Sequence, residues 1–261
     1  MMEWVSEIGV VFYRWIIKLR RKPIYLFFSL IQPLVWFLLF TQAFSAIGNI
    51  PDFEQITGTN NYITFFTAAV IIQTVASSAL QSGIGMVNDL DSGYLDKMKV
   101  APIRKSSILL GKVLSDGISI LIQVGIIVAL ALIVGVNIAT GVVGIALLLL
   151  LAMAFGIAWS GISLFVGLRT KSTETTLSVG LLTTFPLLFL STAVMPKELL
   201  PNWVQTVAAV NPISYIANAI QGLIIRGFEW ESIGNAIIVI ILIGIVSLGA
   251  SIALFRRAVS R

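Results

Sequence analysis

Long apolar runs alternate with short charged segments along the chain. Lys22 and Asp52 bound an uncharged stretch whose apolar part covers 24–47. A second lies between Gln55 and Asn88, apolar over 62–86. No charge occurs from Gly117 to Leu168. That run is long enough for two spans, and Gly135, Asn137, Thr140 and Gly141 supply a turn between 117–136 and 141–168. The last runs are 177–195 and 233–255. A helix rising 1.5 Å per residue needs about 20 apolar residues to cross ~30 Å of hydrocarbon. All six runs come close to that length, so the pattern predicts an all-α polytopic membrane protein with six transmembrane helices. A helix pairs its own backbone inside lipid. A barrel would need alternating polarity, which these runs lack. The 196–228 segment is interrupted by Pro196, Pro201 and Pro212. It reads as two short re-entrant helices dipping back from the far face, or as a structured loop on that face.

Residues 1–22 follow a different period. On a helical wheel Glu3, Glu7, Arg14, Lys18 and Arg21 fall within about 60° of arc. Trp4, Ile8, Val11, Phe12, Trp15 and Leu19 form the neighbouring face. Such a helix lies in a membrane interface, its aromatics among headgroups and its cations toward phosphate and cytosol. It is an anchor before the first span, or an elbow that also touches a cytoplasmic partner. Pro23 ends it. The first span is too long for the 7–15-residue core of a signal peptide and is expected to be retained.

Composition confirms the membrane assignment and removes other classes. Hydrophobic residues make up 57% of the chain and charged residues 11%, against about 25% charged in a soluble domain. There is no Cys and no His. Disulfide, thiolate-metal, imidazole-metal and Ser-His-Asp chemistry are therefore absent. With six spans, both termini and the 87–116 and 169–176 loops share one side, which carries 15 of the 17 Lys and Arg. That side is the cytoplasm by the positive-inside rule. The net charge of +5 is then a topology signal, with no nucleic-acid partner.

The 87–112 loop holds the most information. Asn88 or Asp89 is placed to cap a short helix. Ser92 and Gly93 turn it, and Tyr94, Leu95 and Met98 form an apolar patch among charges, which suggests docking. Asp89, Asp91, Gly93-Tyr94-Leu95, Met98, Val100-Ala101-Pro102, Arg104 and Gly111-Lys112 together resemble the intracellular loop of ABC-2 type permeases. These are the membrane subunits of ATP-binding-cassette transporters. Pro196, Pro201, Trp203, Asn211 and Pro212 resemble a second segment of that family, before its last span. The Val-Ala-Pro form is most similar to the daunorubicin and multidrug-resistance export branch. The resemblance covers nearly the whole chain as a single transmembrane domain, 1–261.

The resemblance implies a non-catalytic permease subunit of an exporter. It implies a translocation path for a hydrophobic or amphipathic substrate, drug-like or lipid. Energy would come from two copies of a separate ABC ATPase subunit, which binds ATP and Mg. This chain itself has no phosphate-cradling G-x-x-x-x-G-K-[ST] loop: Val113 follows Gly111-Lys112 and Ser106 takes the first glycine position. A second permease, a homodimer partner, would complete the path in the plasma membrane of a prokaryote. The family's coupling helix falls on Asn88, Asp89, Leu90, Asp91, Ser92, Gly93, Tyr94 and Leu95. A smaller ATPase contact falls on Arg169, Lys171 and Glu174. Pro196, Pro201, Trp203, Asn211 and Pro212 would close the outer exit.

Thr74, Ser77, Ser78, Gln81 and Ser82 form a polar stripe on one face of the second span. They line a conduit or permit close helix packing. Gln32, Gln42, Thr183 and Thr184 are conduit candidates because the family's first, second and fifth spans border the dimer interface. No charge is expected inside a span, with Asp116 at a cytoplasmic end, and that counts against an ion-coupled secondary carrier. The alternatives are a channel or carrier and, within the family, a lipid-linked glycan export permease.

Overall fold

The structure, a computed structural model, describes residues 2–21, 23–44, 46, 48, 50, 52–94 and 104–259. Among them every regular element is helical. In chain order these are α1 (Met2–Arg20), α2 (Pro23–Ala43), α3 (Phe53–Thr57), α4 (Tyr62–Asp91) and α5 (Lys105–Ile133). Then follow α6 (Gly141–Thr170), α7 (Thr173–Phe189), α8 (Asn202–Val210), α9 (Pro212–Gln221) and α10 (Trp230–Val259). Four of these are long and apolar enough to cross a membrane: α4, α5 from Ser106, α6, and α10 to Phe255. A fifth arises if α8 and α9, bent by 88° at Asn211, count as one span. α2 has 21 residues and α7 has 17.

α4 is the centre of the bundle. Its apolar window is 89% buried, against 39% for α5 and for α6 and 17% for α10. It packs on α2, α5, α6, α7 and α9. Lipid gives no hydrophobic drive to helix association, so close approach must come from small side chains. Gly83 of α4 meets Ser163 of α6, whose hydroxyl donates to the Ala79 carbonyl at 2.6 Å. Gly161 of α6 meets α10, where Ser247 donates to Ala158 O (2.6 Å) and Ser251 to Gly161 O (2.7 Å). Such bonds contribute about 0.6 kcal/mol each in a membrane. Rings join α2 to its neighbours: Trp36 stacks on Phe40 (4.4 Å), Phe40 on Phe66 of α4 (5.6 Å), and Trp36 tilts against Phe185 of α7 (5.7 Å).

The bundle has two chemically distinct ends. At one end, Val11 and Trp15 of α1, Met86 of α4, Leu109 of α5, Leu168 of α6 and Phe255 of α10 share one apolar cluster. We call this the basic end. At the other end the α5–α6 turn packs on the residues after α9. Gly222–Arg226 is a π-helical turn, which leaves carbonyls outside the α-helical ladder. Ala139 N–H donates to Ile224 O (2.9 Å) and the Thr140 hydroxyl to Leu223 O (2.7 Å).

Two expectations change. α4 runs unbroken to Asp91, so Asn88 and Asp89 sit in its last turn and cap no separate helix. The Ser92 and Gly93 amides end it by donating to Asn88 O and Leu90 O, with Gly93 at φ +67°. And α5 begins at Lys105, so Lys112 and Asp116 lie within a helix of spanning length. It tolerates both charges because they neutralise each other one turn apart.

Candidate functional site

The basic end gathers most of the charged chemistry into one cluster beneath and beside α1. Gly111 of α5 seats the helix. A Cβ there would lie 2.8 Å from Val11 Cβ and 3.0 Å from Ile8 O. Val11 and Trp15 are buried in this contact, while Val10 and Tyr13 face outward at 68% and 65% exposure. The charged face borders the apolar one, as the wheel places it. Part of it turns toward the bundle, where Asp89 takes Arg14 and Lys18, while Arg21 stays exposed.

Three polar links tie α1 to the two ends of the connection between α4 and α5. Asp89 is 4% exposed. It accepts from Arg14 Nη2 (3.2 Å) and Lys18 Nζ (2.8 Å). The Arg14 guanidinium also lies 3.3 Å over the Tyr94 ring, a cation–π contact. About two turns before Arg14 on α1, Glu7 Oε2 accepts from the Arg104 backbone N–H (3.0 Å) and the Ser107 hydroxyl (2.8 Å). Those two bonds, the backbone one first, hold the Glu7 carboxyl below its usual range. α1 is therefore a clamp across the base of the 95–103 connection.

A cavity of about 210 Å³ lies under α1 between α4 and α5. Lys112 and Asp116 line it as an ion pair, with Nζ donating to both carboxylate oxygens at 2.6 and 2.8 Å. The Ser82 hydroxyl donates to the same carboxylate. Lys112 Nζ also lies 4.3 Å from the Trp15 ring. Lys112 is 3% exposed.

The predicted site residues separate into groups. Of the coupling candidates, Asn88, Asp91 and Ser92 are exposed, Leu90, Gly93 and Tyr94 are half-buried, and Asp89 is spent on the clamp. Leu95 and Met98 lie outside the described residues. Arg169, Lys171 and Glu174 are exposed. Lys171, at φ +53°, ends α6, and Ser172 caps α7 by accepting from the Thr175 N–H. Gly83 also packs on Gly167. α4 and α6 thus end together, and the 88–94 and 169–174 segments share the basic end.

The polar stripe divides. Thr74 turns back on its own helix, donating to Val70 O (2.7 Å). Ser82 bonds to Asp116, Ser78 and Gln81 line the cavity, and Ser77 is half-buried. Thr183 and Thr184 line a void of about 10 Å³ against Leu80 and Trp159. Gln32 and Gln42 are exposed on α2. At the opposite end Asn211 is buried and makes the 88° corner. Its amide donates to Leu187 O (2.6 Å) and Leu190 O (2.9 Å), carbonyls that the end of α7 leaves unpaired. Its Oδ1 accepts from Ile213 N–H and caps α9, which begins at Pro212. Pro196 is buried, while Pro201 and Trp203 are exposed.

Sequence reading missed the Arg14–Lys18–Asp89 and Glu7–Ser107 links and the cavity. The signals in the sequence were the Lys112–Asp116 spacing, i and i+4, and the charged arc of α1 that holds Glu7, Arg14 and Lys18.

Helices of spanning length, packed through small residues, define a multi-pass membrane protein. The sequence profile of the ABC-2 type transporter family matches residues 6–225, and the chain belongs to that family. The chain is 28% identical over 225 residues to the ycf38 protein of Cyanophora paradoxa, named as a transport permease, covering 84% of this chain and 74% of that one. It is 31% identical over 223 residues to the ycf38 protein of Pyropia yezoensis (84% and 72%). It is 26% identical over 211 residues to the daunorubicin resistance ABC transporter permease protein DrrB1 of Streptomyces coeruleorubidus (81% and 72%).

Proposed function

We propose that this chain is the membrane subunit of an ATP-driven exporter for a hydrophobic or amphipathic substrate. The observation that carries the reading is the clamp. α1 grips the last turn of α4 and the first turn of α5 through Asp89, Tyr94, Arg104 and Ser107. A push on the α4–α5 connection is therefore delivered to α4, the central helix, and to α1 at once. Exposed Asn88, Asp91 and Ser92, with Arg169, Lys171 and Glu174 beside them, supply the surface on which a partner would push. In this reading the partner is an ABC ATPase in two copies, binding ATP and Mg. Two permeases of this kind enclose the path, and closure of the ATPase dimer moves the spans as rigid bodies. α2 and α7 complete six spans, both termini are cytoplasmic and the membrane is the plasma membrane. The α8–α9 corner closes the outer exit. The drug-resistance name of one relative and the scarcity of charge along the spans support a substrate of low charge.

Purification of the tagged full chain in mild detergent, from cells expressing the neighbouring genes, tests the assembly. A stoichiometric P-loop ATPase is expected, and a lone chain refutes the reading. In the reconstituted complex, Tyr94→Ala is expected to keep ATP hydrolysis while lowering transport at least about fivefold, the smallest step of a typical coupling energy. Gly93→Pro is expected to do the same, because proline cannot adopt the positive φ of Gly93. Unchanged transport in both variants removes the coupling assignment.

A further inference from the structure

The cavity under α1 holds polar groups that neither the clamp nor the transport reading uses. Ser78 of α4 and Ser115 and Gln123 of α5 line it, at 8%, 3% and 3% exposure. Among the described residues no hydrogen bond takes up any of these three side chains, and their polar atoms are not sealed in the packing. They open to the cavity, with half-buried Gln81 on the same wall. Buried polar side chains are rarely left without a partner, so such a wall marks a place where a hydrogen-bonding guest belongs. Exposed Asn88 is at the mouth, and Ser78 lies about 15 Å further along α4.

The lining selects the guest. Hydroxyls and carboxamides both donate and accept, so they match a hydroxyl, carbonyl or amide group. Charge adds no further demand. Lys18 and Lys112, the cations on the lining, are each held by a carboxylate, Asp89 at 2.8 Å and Asp116 at 2.6 and 2.8 Å. An anion would meet Asp116 with both cations already taken, and a buried charge without a partner is costly. Trp15, Leu19 and Ile84 supply apolar walls. Water alone would wet those three, and an apolar guest would leave the amide and hydroxyls unpaired. Size sets the remaining limit. A cavity of about 150 Å³ takes a benzene ring, so one of about 210 Å³ takes a ring with a polar substituent. We infer that this cavity binds an uncharged ring compound carrying a hydroxyl, carbonyl or carboxamide group. The ring lies against Trp15, Leu19 and Ile84, and the polar group meets Gln123, Ser115 and Ser78. The site lies within one copy of the chain, apart from any path enclosed between two. The inference concerns binding alone, so loss of the ATPase reading would leave it standing.

Thiol protection tests it, because the protein contains no cysteine and one introduced thiol reports alone. Ser115→Cys puts that thiol on the cavity wall, and Leu114→Cys, 47% exposed on the same helix, is the control. The purified full chain, with any subunit that copurifies, is treated with a small hydrophilic methanethiosulfonate. The probes are benzamide, its isosteric anion benzoate, and toluene. Benzamide is expected to protect Ser115→Cys at a concentration at least about threefold below that of benzoate or toluene, the effect of one hydrogen bond. Leu114→Cys is expected to stay unprotected. Gln123→Leu, added to Ser115→Cys, is expected to raise the benzamide needed by a similar factor without weakening protection by toluene. Protection by toluene or benzoate as strong as that by benzamide overturns the inference, and so does a Gln123→Leu variant that changes nothing. Protection by none of the three means that the cavity holds water only, which also overturns it, as does a thiol that the reagent never reaches. Ser119→Cys, on the same lining, carries the series if Ser115→Cys does not fold.

Discussion

At the scale of single residues, a backbone-to-backbone helix contact is made by an absence of side chain. A Cβ on Gly83 would stand 2.2 Å from the Ser163 carbonyl oxygen and 2.5 Å from its carbon. Both are backbone atoms, so no rotamer change relieves the clash and α4 must move off α6. Gly85, two residues on, is different: its Cβ would meet only Lys112 Cε and Nζ at 3.7 Å. Gly83→Ala is therefore expected to destabilise the protein by about 1–3 kcal/mol, as overpacking does. Gly85→Ala gains helix propensity, roughly 1 kcal/mol, and is expected to be neutral or better. Thermal unfolding of both variants in the same detergent checks this. Equal melting would show that α4 and α6 are not packed through Gly83.

At the scale of elements, the sequence could not tell Asp89 from Asp91. Both lie near the end of an apolar run and both carry one charge. The structure buries one under two cations and exposes the other. The pairing joins positions 75 and 71 residues apart, a separation that periodicity does not encode. Asp89→Asn leaves Arg14 and Lys18 without their counter-ion. Both cations are partly exposed, so water softens the loss to about 1–3 kcal/mol. Asp91→Asn is expected to change nothing measurable, and a comparison of the two melting curves decides. The helix itself was legible. The clustering of Glu7, Arg14 and Lys18 on α1 was visible as a charged arc, but its direction was not, because a wheel gives faces and no neighbours. Glu7 adds a pH signature. Its carboxyl is held below the ordinary 4.5 by the Arg104 N–H and the Ser107 hydroxyl. A lowered folded-state value stabilises above the unfolded value and fades as pH falls through the folded one. The stability difference between wild type and Glu7→Gln is therefore expected to be constant near neutrality and to close below about pH 4.5. A difference that grows toward acid would contradict the clamp.

At the scale of the whole molecule, the all-helical, multi-pass architecture was the most legible feature, since the length and polarity of a run are local properties of the chain. Lys112 and Asp116 lie on the helix but before its charge-free run. Reading spans from charge-free runs starts α5 at 117, whereas the helix starts at Lys105 and carries its charges inward as a compensated pair. The least secure spans are the shortest. At 1.5 Å per residue, the 21 residues of α2 reach about 31 Å and the 17 of α7 about 25 Å. α7 suffices only if Leu190–Met195, tied to α9 by Thr192 and Gln221, carries the chain through the remaining depth. Because the protein contains no cysteine, single introduced thiols report sidedness without a background. Ser6→Cys and Lys171→Cys are expected to react with an impermeant maleimide only after the membrane is opened. Gln55→Cys, Asn137→Cys and Asn202→Cys are expected to react in intact cells. Two pairs of sites bracket the short helices: 6 and 55 bracket α2, and 171 and 202 bracket α7. Equal labelling of Lys171→Cys and Asn202→Cys would mean that α7 does not cross. The α8–α9 pair, bent by 88°, would then have to make the crossing instead, because α10 ends beside α1, with Phe255 in one cluster with Val11 and Trp15.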